Sequence, residues 1–140
     1  GKLGVPDAIL NKAQTLTSEE FDTMKQHPIC GAKILEGIPF LAPAVPYVLY
    51  HHERFDGNGY PYGLKKEQIP LQGRLMAVVD TFDAMTSDRP YRKAKTFKQA
   101  LDEIRDCAGT QFDPDISHLF LKTWEKGVID KRKLKIMKKI

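Results

Sequence analysis

LQGRLMAVVDTFDAMT, residues 71–86, decides the fold. Leu71, Leu75, Val78, Val79, Phe82 and Met85 recur at i, i+4 and i+7, the spacing of one helical face. No alternating run elsewhere is long enough for a convincing strand. The chain therefore reads as an all-α helical bundle of about five to seven helices.

Helix signals lie on both sides of that segment. In LTSEEF, Thr17 is an N-cap, Glu20 completes a capping box, and Leu16 can staple onto Phe21. This helix runs to about Gln26, where His27-Pro28 breaks it. Pro28 suits the first residue of a second helix carrying Ile29, Ala32 and Leu35, ended by Gly37 and Pro39. A third helix covers about Pro43 to His52 despite Pro46. Beyond residue 86, Thr96 and Gln99 form another capping box, and that helix stops at Gly109. Asp113-Pro114 caps a last one, which carries Ile116, Leu119 and Phe120 and ends near Gly127.

Bulk composition is that of one ordinary globular domain. The 140 residues are 41% hydrophobic and 29% charged. No apolar run approaches the ~20 residues that span a bilayer. The start, GKLGVPDAILNK, lacks the apolar core of a signal peptide, so a cytoplasmic location is expected. Cys30 and Cys107 form no CxxC pair and are expected as reduced, buried thiols. Residues 126–140 hold seven Lys or Arg and one Asp, a net +6, so the total of +4 leaves −2 on the rest. That basic stretch reads as a solvated terminal helix or tail, with contact to an anionic partner as the alternative.

The chemistry concentrates in HHERFDGNGYPYG, residues 51–63. A stretch of ~14 residues without periodicity is uncommon inside a compact domain and is more often functional. On a helix, His51 and His52 would point about 100° apart and could not easily share one ion. They could serve two ions lying close together. The alternative is one buried and one exposed imidazole. His27, ahead of a proline, reads alone as a cap or surface group. Asp80 shifts the balance: it follows five apolar residues, and an unpaired carboxylate beside a core face costs several kcal/mol. A metal cluster would satisfy it. Asp83 lies on the same face, with Arg74 or Arg89 as alternative partners. Three imidazoles and a carboxylate suit transition metals. Lys2, Arg54, Arg89 and Arg92 could hold phosphates. Gly57, Gly59 and Gly63 allow positive φ or close backbone approach. Tyr60 and Tyr62 could stack on a base, while Pro61 fixes the turn. An Ω-loop covering the core is the plainer alternative.

HHERFDGNGYPYGL, then IPLQGRLMAVVDTFDAMTSDRPYRKA, resembles the HD-GYP domain, a branch of the HD phosphohydrolase superfamily in bacterial signalling. GKLGVPDAILNK, LTSEEFDTMKQHPICGAKIL and GTQFDPDISHLFL fit the same pattern, which covers roughly residues 1–122. The resemblance implies an all-helical fold and hydrolysis of cyclic di-GMP to the linear dinucleotide or GMP. It implies two or three transition-metal ions, iron or manganese ahead of nickel or zinc, that activate the attacking water. It makes His27, His51, His52 and Asp80 metal ligands and has Asp83 hydrogen-bond within the site. Lys2 would bind the scissile phosphate or protonate the leaving oxygen. Arg89 and Arg92 would hold the other phosphates. Gly59, Tyr60 and Pro61 would shape the site and dock diguanylate cyclase domains. An upstream sensory or receiver domain is also implied, and no nucleic acid polymer.

The chain departs from this pattern at its start. The family reads His-Asp-x-Gly-Lys, and these residues begin at the Gly-Lys. The chain thus reads as a fragment, with a degenerate domain as the alternative. Residues 1–125 would be the C-terminal part of the domain and 126–140 its basic tail. With a bridging carboxylate and an imidazole missing, the chain alone is expected to be inactive. Missing helices would expose an apolar stripe able to pair two copies. A competing reading is a non-catalytic module that docks cyclase domains through the Gly-Tyr-Pro loop.

Overall fold

The structure is a computed structural model and describes residues 1–88 and 93–129. Arg89, Arg92 and residues 130–140, most of the basic tail, lie outside the described residues. The chain forms two compact units, Gly1–Ala77 and Val78–Ile140. Among the described residues there are seven α-helices: α1 (Asp7–Leu10), α2 (Ser18–Met24), α3 (His27–Glu36), α4 (Val45–Leu49), α5 (Leu71–Thr86), α6 (Phe97–Asp106) and α7 (Pro114–Glu125). Short 3₁₀ turns occupy Lys2–Gly4, Pro39–Ala44 and Lys66–Gln68. The described residues contain no strand, only an isolated bridge between Ala108 and Phe112. None of their helices is long and apolar enough to cross a membrane.

The local cap signals set the helix starts. Thr17 Oγ1 accepts the Glu20 N–H at 3.3 Å, and the Glu20 carboxylate accepts the Thr17 N–H at 2.7 Å. Glu20 is also held by Lys12 Nζ at 2.6 Å, which ties the segment after α1 to α2. Thr96 and Gln99 form the same reciprocal pair at α6. Asp113, only 5% exposed, accepts the N–H groups of Asp115 (2.8 Å) and Ile116 (3.2 Å) at the start of α7. Both amides would lose their acceptor in Asp113→Ala. That substitution is expected to cost about 1–2 kcal/mol, read as a lower midpoint of chemical denaturation, while Asp113→Asn retains most of it.

The expected helix over Pro43 to His52 is interrupted. Pro43 lies in the 3₁₀ turn, Pro46 sits in the first turn of α4, and α4 ends at Leu49. Proline lacks an N–H and fixes φ, so it begins a new helix more readily than it continues one. His51 and His52 therefore lie in the turn after α4. In α3 the helix begins one residue earlier than expected, at His27, with Gln26 as its cap and Pro28 in the first turn.

The apolar face expected on α5 is narrower than its sequence suggests. Ala77, Val78, Phe82 and Met85 are buried, whereas Leu71, Leu75, Met76 and Val79 are exposed. In the second unit, Phe82 packs against Phe97, Phe120 and Trp124, with ring centroids 5.2–6.0 Å apart. Ile104 and Phe112 are fully buried beside Ala100 and Ile116. Along α7, Leu119 faces solvent and Trp124 takes its place in the core. Cys30 and Cys107 are free thiols as expected, but half-buried rather than buried.

Candidate metal centre

Close helix packing in the first unit builds the site. A Cβ on Gly31 of α3 would lie 2.7 Å from Val48 Cγ1 of α4 and 3.2 Å from Gly1 Cα. Without that Cβ, α4 and the start of the chain can both press against α3. His27 opens α3, while His51 and His52 follow α4, so this contact gathers all three imidazoles. Ring centroids are 5.6 Å apart for His27–His51, 4.9 Å for His27–His52 and 4.0 Å for His51–His52. One nitrogen from each lies within 4.8 Å of the others. The expectation that adjacent histidines diverge fails here because they leave the helix before its periodicity can separate them.

Hydrogen bonds orient two of the rings. His27 Nδ1 lies 2.8 Å from the Met24 carbonyl, and His51 Nδ1 lies 2.8 Å from the Val48 carbonyl. A carbonyl can only accept, so each Nδ1 carries a proton, and in the neutral ring Nε2 keeps its lone pair. His27 is 6% exposed, and its Nε2 is buried with no hydrogen-bond partner. Burying a polar nitrogen in that state is costly unless something accepts its lone pair. A divalent transition metal would do so, and three imidazole donors match its preference. The residues present fit such an ion.

Burial disfavours protonation of two of these rings, His52 and His27, which suits coordination. Burial pushes the His52 pKa down to about 3, helped by the neighbouring His51, His27 and Lys2 charges. Burial also lowers the pKa of His27, against the opposing Met24 hydrogen bond. Lys2, exposed on its 3₁₀ turn, thus contributes positive potential at two of the three rings. The sign for stability follows from proton counting: below pH ~6.5 the unfolded chain binds protons that the folded rings refuse. Stability of the metal-free chain is expected to be full above that pH and to fall progressively towards pH 3. Thermal melts across this range check it, and His52→Asn should flatten the slope.

The segment after the histidines is fastened from within. Glu53 is 3% exposed, and its two oxygens accept the N–H groups of Tyr62 (2.7 Å) and Leu64 (3.0 Å). Gly59 lies against the chain: a Cβ there would meet Arg54 N at 2.3 Å and the His52 carbonyl at 2.6 Å. The Tyr60 N–H donates to that same carbonyl at 3.1 Å. The Tyr60 ring stacks on His52, 4.7 Å between centroids and 28° between planes. Within residues 51–63, Gly57 and Gly63 have positive φ, at 84° and 66°. An open cleft of about 560 Å³ borders this loop, with His52, Arg54, Tyr60 and Pro61 on one side and Phe21 and Lys25 on the other.

The remaining expected residues are placed as follows. Arg54 forms a two-point pair with Asp56 (3.1 and 2.7 Å), which holds the Asp56 carboxyl down at about 2. Tyr62 is exposed, with its ring 6.1 Å from Tyr50. Asp80 and Asp83 belong to the second unit, on the C-terminal half of α5. Asp80 is half-buried, and Asp83 is exposed and accepts from the Ser87 hydroxyl at 3.4 Å. Glu53 is the residue sequence reading passed over. Its signal was a carboxylate placed just before a stretch whose backbone N–H groups have no ladder to join.

The helical fold and the histidine cluster define a class: the chain belongs to the HD domain family, whose profile matches residues 1–116. Two relatives are similar at the sequence level. A cyclic di-GMP phosphodiesterase of Thermotoga maritima is 46% identical over 132 residues, 93% of this chain and 36% of the relative. A cyclic di-GMP phosphodiesterase of Pseudomonas aeruginosa is 46% identical over 123 residues, 87% of this chain and 30% of the relative. The chain thus spans about a third of the length of these relatives. Its fold is also that of a crystal structure of a Vibrio cholerae cyclic GMP-AMP specific phosphodiesterase. That match has a TM-score of 0.61 and 22% identity, over 84% of this chain and 26% of the other.

Proposed function

We propose that this chain carries the histidine cluster of a metal-dependent phosphodiesterase that hydrolyses cyclic di-GMP to the linear dinucleotide or to GMP. The buried, unpartnered Nε2 of His27, facing two further imidazoles, carries the reading. The names of the two relatives support its substrate. His27, His51 and His52, with Asp80, would hold two or three ions, iron or manganese first. Bound ions of this kind acidify water and polarise a phosphoryl oxygen.

The chain's own side chains supply the rest. The Met24 and Val48 carbonyls fix which imidazole nitrogen is free. Lys2, whose charge reaches the cluster, binds the scissile phosphate or gives a proton to the departing oxygen. Arg89 and Arg92 neutralise the other phosphate groups, and Asp83 accepts a hydrogen bond within the site. Gly59, Tyr60 and Pro61 form the wall beside His52.

The test has two parts. Metal analysis of the 140-residue chain after loading with Mn²⁺ or Fe²⁺ should find bound ion. A form carrying the family's His-Asp segment ahead of Gly1 should convert cyclic di-GMP to linear product, followed by chromatography, with cyclic GMP-AMP as the competing substrate. A chain that retains no divalent ion, or an extended form that leaves both cyclic dinucleotides intact, overturns the proposal.

A further inference from the structure

The three imidazoles are not held alike. His27 and His51 each donate Nδ1–H to a backbone carbonyl, the usual device for orienting a metal-binding histidine. Among the described residues His52 has no such carbonyl; beside the other two imidazoles, the ring stacked on it is that of Tyr60. We propose that Tyr60 and Glu53 are positioning residues, Tyr60 fixing the His52 ring by stacking and Glu53 fixing Tyr60 by fastening the loop. This rests on the metal-site reading above and adds the parts that orient its third ligand.

The chain of contacts is short. Glu53 follows His52 directly and takes the Tyr62 and Leu64 N–H groups on separate oxygens. The loop from 54 to 61 must therefore return to where it started. On its return Gly59 lies against the His52–Arg54 backbone, which leaves no room for a side chain. Tyr60 is then delivered with its N–H on the His52 carbonyl and its ring on the His52 imidazole. Phe21 meets the Tyr60 ring edge-on at 6.2 Å, supporting it from α2. An offset aromatic stack restricts ring tilt without consuming a nitrogen, so it leaves the imidazole free to bind.

The experiment compares Tyr60→Phe, Tyr60→Leu and Glu53→Gln in the full 140-residue chain. Histidine-ring NMR of the metal-free chain reads the ring current of Tyr60 on His52, and Mn²⁺ titration reads affinity. Tyr60→Phe should keep both, with affinity within about twofold. Tyr60→Leu should abolish the ring-current shift and weaken Mn²⁺ binding by about 10–100-fold. Glu53→Gln can accept one amide but opposes the other with its NH₂. It should speed hydrogen exchange at Tyr62 or Leu64, displace the His52 ring signal and weaken Mn²⁺ in the same direction. If Tyr60→Leu does not fold, Glu53→Gln decides. The proposal fails if either variant leaves the His52 ring signal unchanged, or if Tyr60→Phe is as impaired as Tyr60→Leu. Should the parent chain bind no Mn²⁺, the metal reading fails, and the ring signals alone still decide how His52 is held.

Discussion

His27→Ala is expected to lower divalent-metal affinity by at least about 100-fold, more than loss of a residue that only orients a ligand. Three observations make His27 the sensitive member. It is the most buried of the three rings, its Nε2 has no partner within the protein, and its Nδ1 is committed to Met24. Alanine removes the donor and leaves a gap at the first turn of α3. Two imidazoles remain, and bound metal per chain should fall below detection at micromolar Mn²⁺. Circular dichroism at pH 7.5 separates this from unfolding: the helical signal should persist while the metal is lost. A His27→Ala chain that binds Mn²⁺ as tightly as its parent would remove this imidazole from the site.

Gly59→Ala carries the second large effect, and it acts through the backbone. A Cβ at this position would stand 2.3 Å from Arg54 N, 2.6 Å from Glu53 Cα and 2.6 Å from the His52 carbonyl oxygen. All three are main-chain atoms, so no side chain can swing aside. The loop itself has to move, at a cost of about 1–3 kcal/mol. For a chain of this size that corresponds to a melting temperature lowered by roughly 3–15 °C. The displaced loop would also carry Tyr60 off His52, so metal affinity should fall with stability. Gly37→Ala is the control: its Cβ would meet only Ile34 O at an ordinary 3.7 Å, and its φ of −68° suits alanine. An unchanged melt for Gly59→Ala would mean that the loop does not press on this backbone.

Much of the fold was legible because its signals are local. Thr17 with Glu20, Thr96 with Gln99 and Asp113 with Pro114 each act within one helical turn, and each begins a helix where its side chain requires. The bounds of α5 were equally readable from its apolar spacing. Which half of that spacing is buried was not, since Leu71 and Val78 carry the same periodic signal in different surroundings. The site was harder still. Convergence of the three histidines depends on α4 stopping at Leu49 and on α3 and α4 touching through Gly31. Neither is visible from the spacing of His27, His51 and His52. Glu53 was missed for a related reason: its partners are backbone amides nine and eleven residues downstream, and amides leave no mark in a sequence.

The contact at Gly31 has a wider consequence. Two remote stretches of chain lean on the same bare α-carbon, so the spacing of the imidazoles is regulated from a position that never meets a ligand. A single added methyl there would act as a wedge. It would spread the cluster while every coordinating atom kept its chemical identity.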